Sequence, residues 1–88
     1  MKLASSELRW WILDKMVRKN LWGGKHLDYE LISHGLPKDQ YRDIEKELDK
    51  LVREGLVVKK PAHYGLQVSL NVRMKVEIER IIRGREEK

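Results

Sequence analysis

Arg42, Lys46, Lys50 and Arg53 recur at steps of three and four residues. On a helix turning about 100° per residue they fall within one quadrant and make a basic stripe. Such a stripe needs no cofactor, since its chemistry is the neutralisation of a polyanion. Asp43, Glu47 and Glu54 line one side of it and Asp49 the other. These acids supply the opposing reading, because Asp39–Arg42, Asp43–Lys46 and Asp49–Arg53 are spaced to pair on an ordinary solvated helix. Other reactive residues form no constellation. His26, His34 and His63 have no cysteine companions and no zinc-type spacing. No Ser or carboxylate nucleophile stands at a recognisable distance from a base, and Gly23-Gly24 is too short to cradle a phosphate. Trp22 and Tyr64 are not interleaved with basic residues as a single-strand stacking platform requires, so RNA is a third option only. The expectation is a protein that is not an enzyme, with no metal, no cofactor and no small-molecule ligand.

The stripe needs a helix to carry it, and residues 37–54 supply one. Pro37 suits a first helical turn, and Gly55 stands where a left-handed C-terminal cap is expected. Between them Tyr41, Ile44, Leu48, Leu51 and Val52 recur at helical steps and predict a buried seam opposite the stripe. Ahead of it, Ser5 or Ser6 can cap a helix over 5–19. Trp22-Gly23-Gly24 breaks that helix, 25–27 reads as a short strand, and Asp28 opens a second helix over 28–34. Beyond Gly55 the period becomes extended. Strands are expected over 56–60 and 66–70, joined by a loop over 61–65. Asn71 can cap a last helix over 72–83 with Met74, Ile78, Ile81 and Ile82 on one face.

Composition agrees with one small folded unit. The 88 residues are 41% hydrophobic and 38% charged, enough for a single modest core and too apolar for a disordered chain. Nineteen Lys and Arg against fourteen Asp and Glu leave a net charge of +5, which favours an acidic partner such as nucleic acid. Without cysteine there is no disulfide framework. No apolar run approaches a membrane span, and the N-terminus lacks the apolar core of a signal peptide. A cytoplasmic protein without membrane contact is the expectation. The absence of Thr and the presence of only two Asn and two Gln resemble chains from hot-adapted organisms.

Helix, short strand, helix, turn, long helix and hairpin is the order of the winged helix–turn–helix family, and residues at the joints resemble its pattern. Glu30-Leu31-Ile32 followed by Gly35-Leu36-Pro37 is similar to its second helix and turn. Leu48, Leu51 and Arg53-Glu54-Gly55-Leu56-Val57 resemble the end of its recognition helix and the entry to its wing. The likeness runs from Asp28 to Leu70 and is greatest to small archaeal and bacterial transcriptional regulators, including PadR-like ones with an added C-terminal helix. It implies an α+β fold, mainly α with a small β-hairpin, in one domain over 1–88.

The resemblance also implies roles. The recognition helix would meet base edges through Gln40, Arg42, Asp43 and Lys46, and phosphates through Lys50 and Arg53, with Lys38 at its start. Lys59, Lys60, His63 and Tyr64 would form the wing, and Lys25 and His26 would add a phosphate contact. Two departures accompany these roles. The interval from Gly35 to Gly55 is about one turn longer than the common pattern, and residues 38–54 hold six acids against five bases.

Residues of the first helix are apolar on two sides. Leu8, Trp11 and Ile12 form one side; Trp10, Leu13 and Val17 form the other. One side then requires the last helix or a second subunit. Trp10, Leu13, Val17, Ile78, Ile81 and Ile82 are the candidate contacts of a homodimer. Two functions follow as expectations. One is a dimeric, nucleoid-associated regulator that reads duplex DNA. The alternative is a winged-helix interaction module of a larger assembly, without strong DNA binding.

Overall fold

In the computed structural model, which describes residues 3–63 and 65–86, three helices pack on a small antiparallel sheet. Helix α1 spans Ser5–Arg18, α2 Tyr41–Arg53 and α3 Lys75–Glu86, while β1 is Leu27–Asp28, β2 Val57–Ala62 and β3 Gly65–Leu70. The sheet order is β1-β3-β2. Three 3-10 turns, Tyr29–Ser33, Lys38–Gln40 and Val72–Met74, complete the elements.

The cap of α1 lies one residue before its serines. Ala4 holds the cap position with extended backbone, and its N–H donates to the Glu7 carboxylate at 3.2 Å. Asn20 ends the helix at φ 55. Around it the Leu21 N–H reaches the Met16 carbonyl at 3.1 Å and the Asn20 N–H the Val17 carbonyl at 2.9 Å. That paired closure satisfies carbonyls a helix end leaves open, and it requires one left-handed residue. Gly55, φ 82, closes α2 in the same way, with Leu56 N–H on Leu51 O and Gly55 N–H on Val52 O, both at 3.0 Å.

The second helix expected over 28–34 is a 3-10 turn of five residues. Both ends are held by side chains from elsewhere. The Asp28 carboxylate accepts from the Gln67 amide at 3.2 Å and does not cap. At the other end the Lys15 ammonium donates to the carbonyls of Leu31, Ile32 and His34 at 3.2, 3.0 and 2.5 Å, so a cation occupies groups that further helical turns would use. The long helix likewise starts late. Pro37 precedes a 3-10 turn, and regular α-helix runs only from Tyr41.

The expected strand over 25–27 starts two residues later and ends one residue later, because Leu27 and Asp28 are the residues that pair with Val68 and Gln67. In the hairpin the ladder continues to Ala62 opposite Gly65. The ladder therefore takes Pro61, Ala62 and Gly65 out of the loop expected over 61–65. Asn71 does act as a cap: its side-chain oxygen accepts from the Arg73 N–H at 3.0 Å, and its amide donates to the Gly55 carbonyl at 2.8 Å. The cap serves a 3-10 turn, and α3 runs three residues beyond the expected end.

One core joins these elements. Leu8, Ile12, Leu13 and Met16 of α1 meet Ile44, Leu48 and Leu51 of α2, with Val57, Val68 and Leu70 of the sheet and Ile78 of α3. Burying each such side chain contributes roughly 1.5–3 kcal/mol. Leu13 and Ile78 are 0% exposed, so α1's second apolar side is covered by α3 of the same chain. Those two residues cannot be dimer contacts. Trp10, Val17, Ile81 and Ile82 are half-buried around the same seam, where the Trp10 indole N–H donates to the Ile82 carbonyl at 3.3 Å.

Candidate functional site

The seam of α2 faces α1 and the sheet, which turns Arg42, Asp43, Lys46, Lys50 and Arg53 outward into solvent. The stripe exists as a surface. Lys38 lies exposed in the 3-10 turn leading into it.

Gln40 is a correction. It is 0% exposed, and its amide is used up on the N-terminal segment. The Leu3 N–H donates to Gln40 Oε1 at 3.2 Å, and Gln40 Nε2 donates to the Leu3 carbonyl at 3.3 Å. An amide that satisfies two backbone groups inside the fold cannot reach a base edge.

Three of the four acids flanking the stripe, Asp49, Glu54 and Glu47, are engaged by cations from other elements. Asp49 accepts from Lys59 of β2 at 3.3 Å and from the Tyr29 hydroxyl at 3.4 Å. On the opposite flank Arg9 of α1 holds Glu54 through both guanidinium NH groups, one of them at 2.9 Å, and lies 3.7 Å from Glu47. Buried Glu47 also accepts from the Ser5 hydroxyl at 2.6 Å and lies 3.9 Å from Lys50. The pairs expected along the helix do not form. Among the described residues no carboxylate lies at ion-pair distance from Arg42, Lys46 or Arg53.

Electrostatics follow from this geometry. The hydrogen bond to Glu54 raises the Arg9 pKa and, reciprocally, draws Glu54 below the usual carboxylate range. Burial, together with the nearby Asp49 charge, pushes the Tyr29 hydroxyl up to about 12. Burial and the neighbouring Lys19 charge lower the Lys15 pKa.

The wing residues separate. Lys59 shares a sheet face with buried Val57 and lies 5.3 Å from the centre of the Tyr29 ring, so its charge is directed at Asp49. Lys60, one residue on, emerges on the other face and is exposed. His63 is exposed in the turn, as are Lys25 and His26 before β1, and Tyr64 lies outside the described residues. Among the described residues no three His, Asp or Glu side chains gather as metal ligands, and no helix is long and apolar enough to cross a membrane.

Arg9 is the residue that sequence reasoning passed over. Its signal was legible: on the wheel of α1 it falls inside the arc of Ile12, Leu13 and Met16. A guanidinium inside an apolar arc requires an acidic partner on whatever packs there. Comparison with protein-family models, with curated proteins and with solved structures returns no match for this chain.

Proposed function

We propose that this chain binds duplex DNA through the exposed face of α2 and the β2–β3 hairpin, as a winged helix–turn–helix transcription regulator. The observation that carries the reading is the separation of charge on α2. Among the described residues Arg42, Lys46 and Arg53 have no carboxylate at ion-pair distance, while Glu47, Glu54 and Asp49 are engaged by Arg9 and Lys59. An acid-rich helix thereby presents a cationic face, and a duplex rewards cations that displace its condensed counterions. The element order and the β1-β3-β2 sheet support the winged-helix assignment, with the helix–turn–helix running from Tyr29 through Gly35 into α2.

With Gln40 buried, base edges fall to Arg42, Asp43 and Lys46, and phosphates to Lys50 and Arg53. Lys38, Lys60 and His63 flank this contact. A homodimer in the nucleoid would present two such faces to two half-sites.

The test is fluorescence anisotropy of a labelled mixed-sequence duplex at two salt concentrations. Binding should weaken steeply with salt, and Arg42→Ala/Lys46→Ala should weaken it by about a hundredfold at ~0.1 M salt, two phosphate neutralisations' worth. An unchanged Kd for that variant removes the face from the reading.

A second reading has its own observation. Val72 and Val76 are 56% and 65% exposed at the start of the C-terminal helical segment, and Leu66 at the hairpin is 43% exposed. Apolar exposure of that kind suits an interaction module. That reading predicts no duplex binding even at low salt, with α3 variants such as Val76→Glu losing a protein partner.

A further inference from the structure

Arg9 lies on α1, away from the exposed stripe, yet it touches two of the three acids on one flank of that stripe, Glu47 and Glu54. Resting on the DNA-binding reading, we infer that Arg9 is a positioning residue for duplex binding: it acts by masking Glu47 and Glu54, without touching the duplex itself.

Glu47 and Glu54 are seven residues apart, two turns along one side of α2, and the guanidinium sits against both. Lys50 lies between them in sequence, three residues from Glu47 and four from Glu54, and is already 3.9 Å from Glu47. Neighbours at that spacing on a helix are about 5–6 Å apart, inside the screening length of about 8 Å at physiological salt. Without Arg9 the two carboxylates would turn to Lys50, the nearest cation. One stripe cation would be lost to an internal pair, and the remaining negative charge would face incoming phosphates.

Burial separates this role from direct contact. The Arg9 side chain is only 25% exposed and both its terminal guanidinium nitrogens donate to Glu54, so its charge is turned to the acids and not to a phosphate. Lys59 occupies the equivalent place on the other flank, against Asp49.

The test compares four proteins by anisotropy on one labelled mixed-sequence duplex: wild type, Arg9→Met, Arg9→Met/Glu47→Gln/Glu54→Gln, and Glu47→Gln/Glu54→Gln. Methionine keeps the packed stem, and glutamine keeps the acceptor for Ser5. Circular dichroism establishes which variants are folded at the assay temperature. Loss of one phosphate neutralisation should weaken Arg9→Met by about tenfold at ~0.1 M salt. Removing the two acids should bring the triple variant back to within about threefold of wild type. Direct contact by Arg9, or a merely structural role, predicts no such rescue, and a triple variant as weak as Arg9→Met overturns the inference. An unchanged Kd for Arg9→Met overturns it equally. Should Arg9→Met unfold, the triple variant against Glu47→Gln/Glu54→Gln decides: with both acids gone Arg9 has nothing to mask, so the two should bind within about threefold of each other, and a triple variant about tenfold weaker rejects the masking role. Failure of wild type to bind at either salt rejects the DNA-binding reading itself, whereas binding by wild type without rescue rejects the role of Arg9 alone.

Discussion

Two side chains near α2 show how burial converts a surface expectation into a structural role. Gln40 bridges the N–H and carbonyl of Leu3 and is sealed from solvent. Truncation leaves the part-buried N–H and carbonyl of Leu3 without their side-chain partner, so Gln40→Ala should cost about 1–2 kcal/mol in a denaturant melt. Duplex affinity of the folded variant should match wild type, since the amide never reaches the outer face. Tyr29 makes the complementary case at alkaline pH. Burial holds its hydroxyl at about 12 against an ordinary value of 10.0, so the folded state binds this proton more tightly than the unfolded chain does. Its favourable contribution is complete below pH 10 and is lost as pH rises towards 12. Thermal melts should show wild type losing stability faster than Tyr29→Phe across that window, with the difference between them flat below it. Equal slopes would mean that Tyr29 titrates as it does when unfolded.

Helix ends explain which elements were legible in advance. Gly55 is read directly from sequence because only a left-handed residue closes α2 this way, and at φ 82 no atom lies within 4 Å of an added Cβ. Gly55→Ala should therefore cost about 1–2 kcal/mol through backbone strain alone, without disturbing packing. Asn20 performs the same task at φ 55, and Asn20→Gly should change stability by less than about 0.5 kcal/mol. A hydrogen–deuterium exchange map of the two variants would show the loss confined to Gly55→Ala. The seam of α2, the period-two strands and Asn71 were equally readable, since each depends on neighbours close in the chain. The 3-10 turn at Tyr29–Ser33 was not, because Lys15 reaches it from a helix fourteen or more residues earlier in sequence. For the same reason the stripe was legible and its electrostatics were not. Residue spacing pairs Asp49 with Arg53, but the fold brings Lys59 to Asp49 and Arg9 to Glu54, contacts between different elements that no local period encodes.

At the scale of the molecule, a net charge of +5 is modest for a DNA-binding surface, and its distribution matters more than its size. Engagement of Glu47, Glu54 and Asp49 by off-stripe cations leaves Arg42, Lys46, Lys50 and Arg53 as the group able to displace counterions. If these four each neutralise one phosphate, log K should fall against log salt with a slope of about −3.5 per chain. Two chains bound together would double it to about −7. Light scattering on the free protein supplies the missing integer. The α1–α3 seam is satisfied within one chain, so a dimer must form through surface that remains open, and Val72 and Val76 are the most exposed large apolar side chains among the described residues. A monomeric mass with a slope of about −3.5, reduced by about 2 in Arg42→Ala/Lys46→Ala, is the outcome for one chain bound through the stripe. A dimeric mass should bring the steeper slope, and Val76→Glu should then return both mass and slope to the monomer's values. A slope flatter than about −1 at either mass would leave too few neutralised phosphates for α2 to be the contact face.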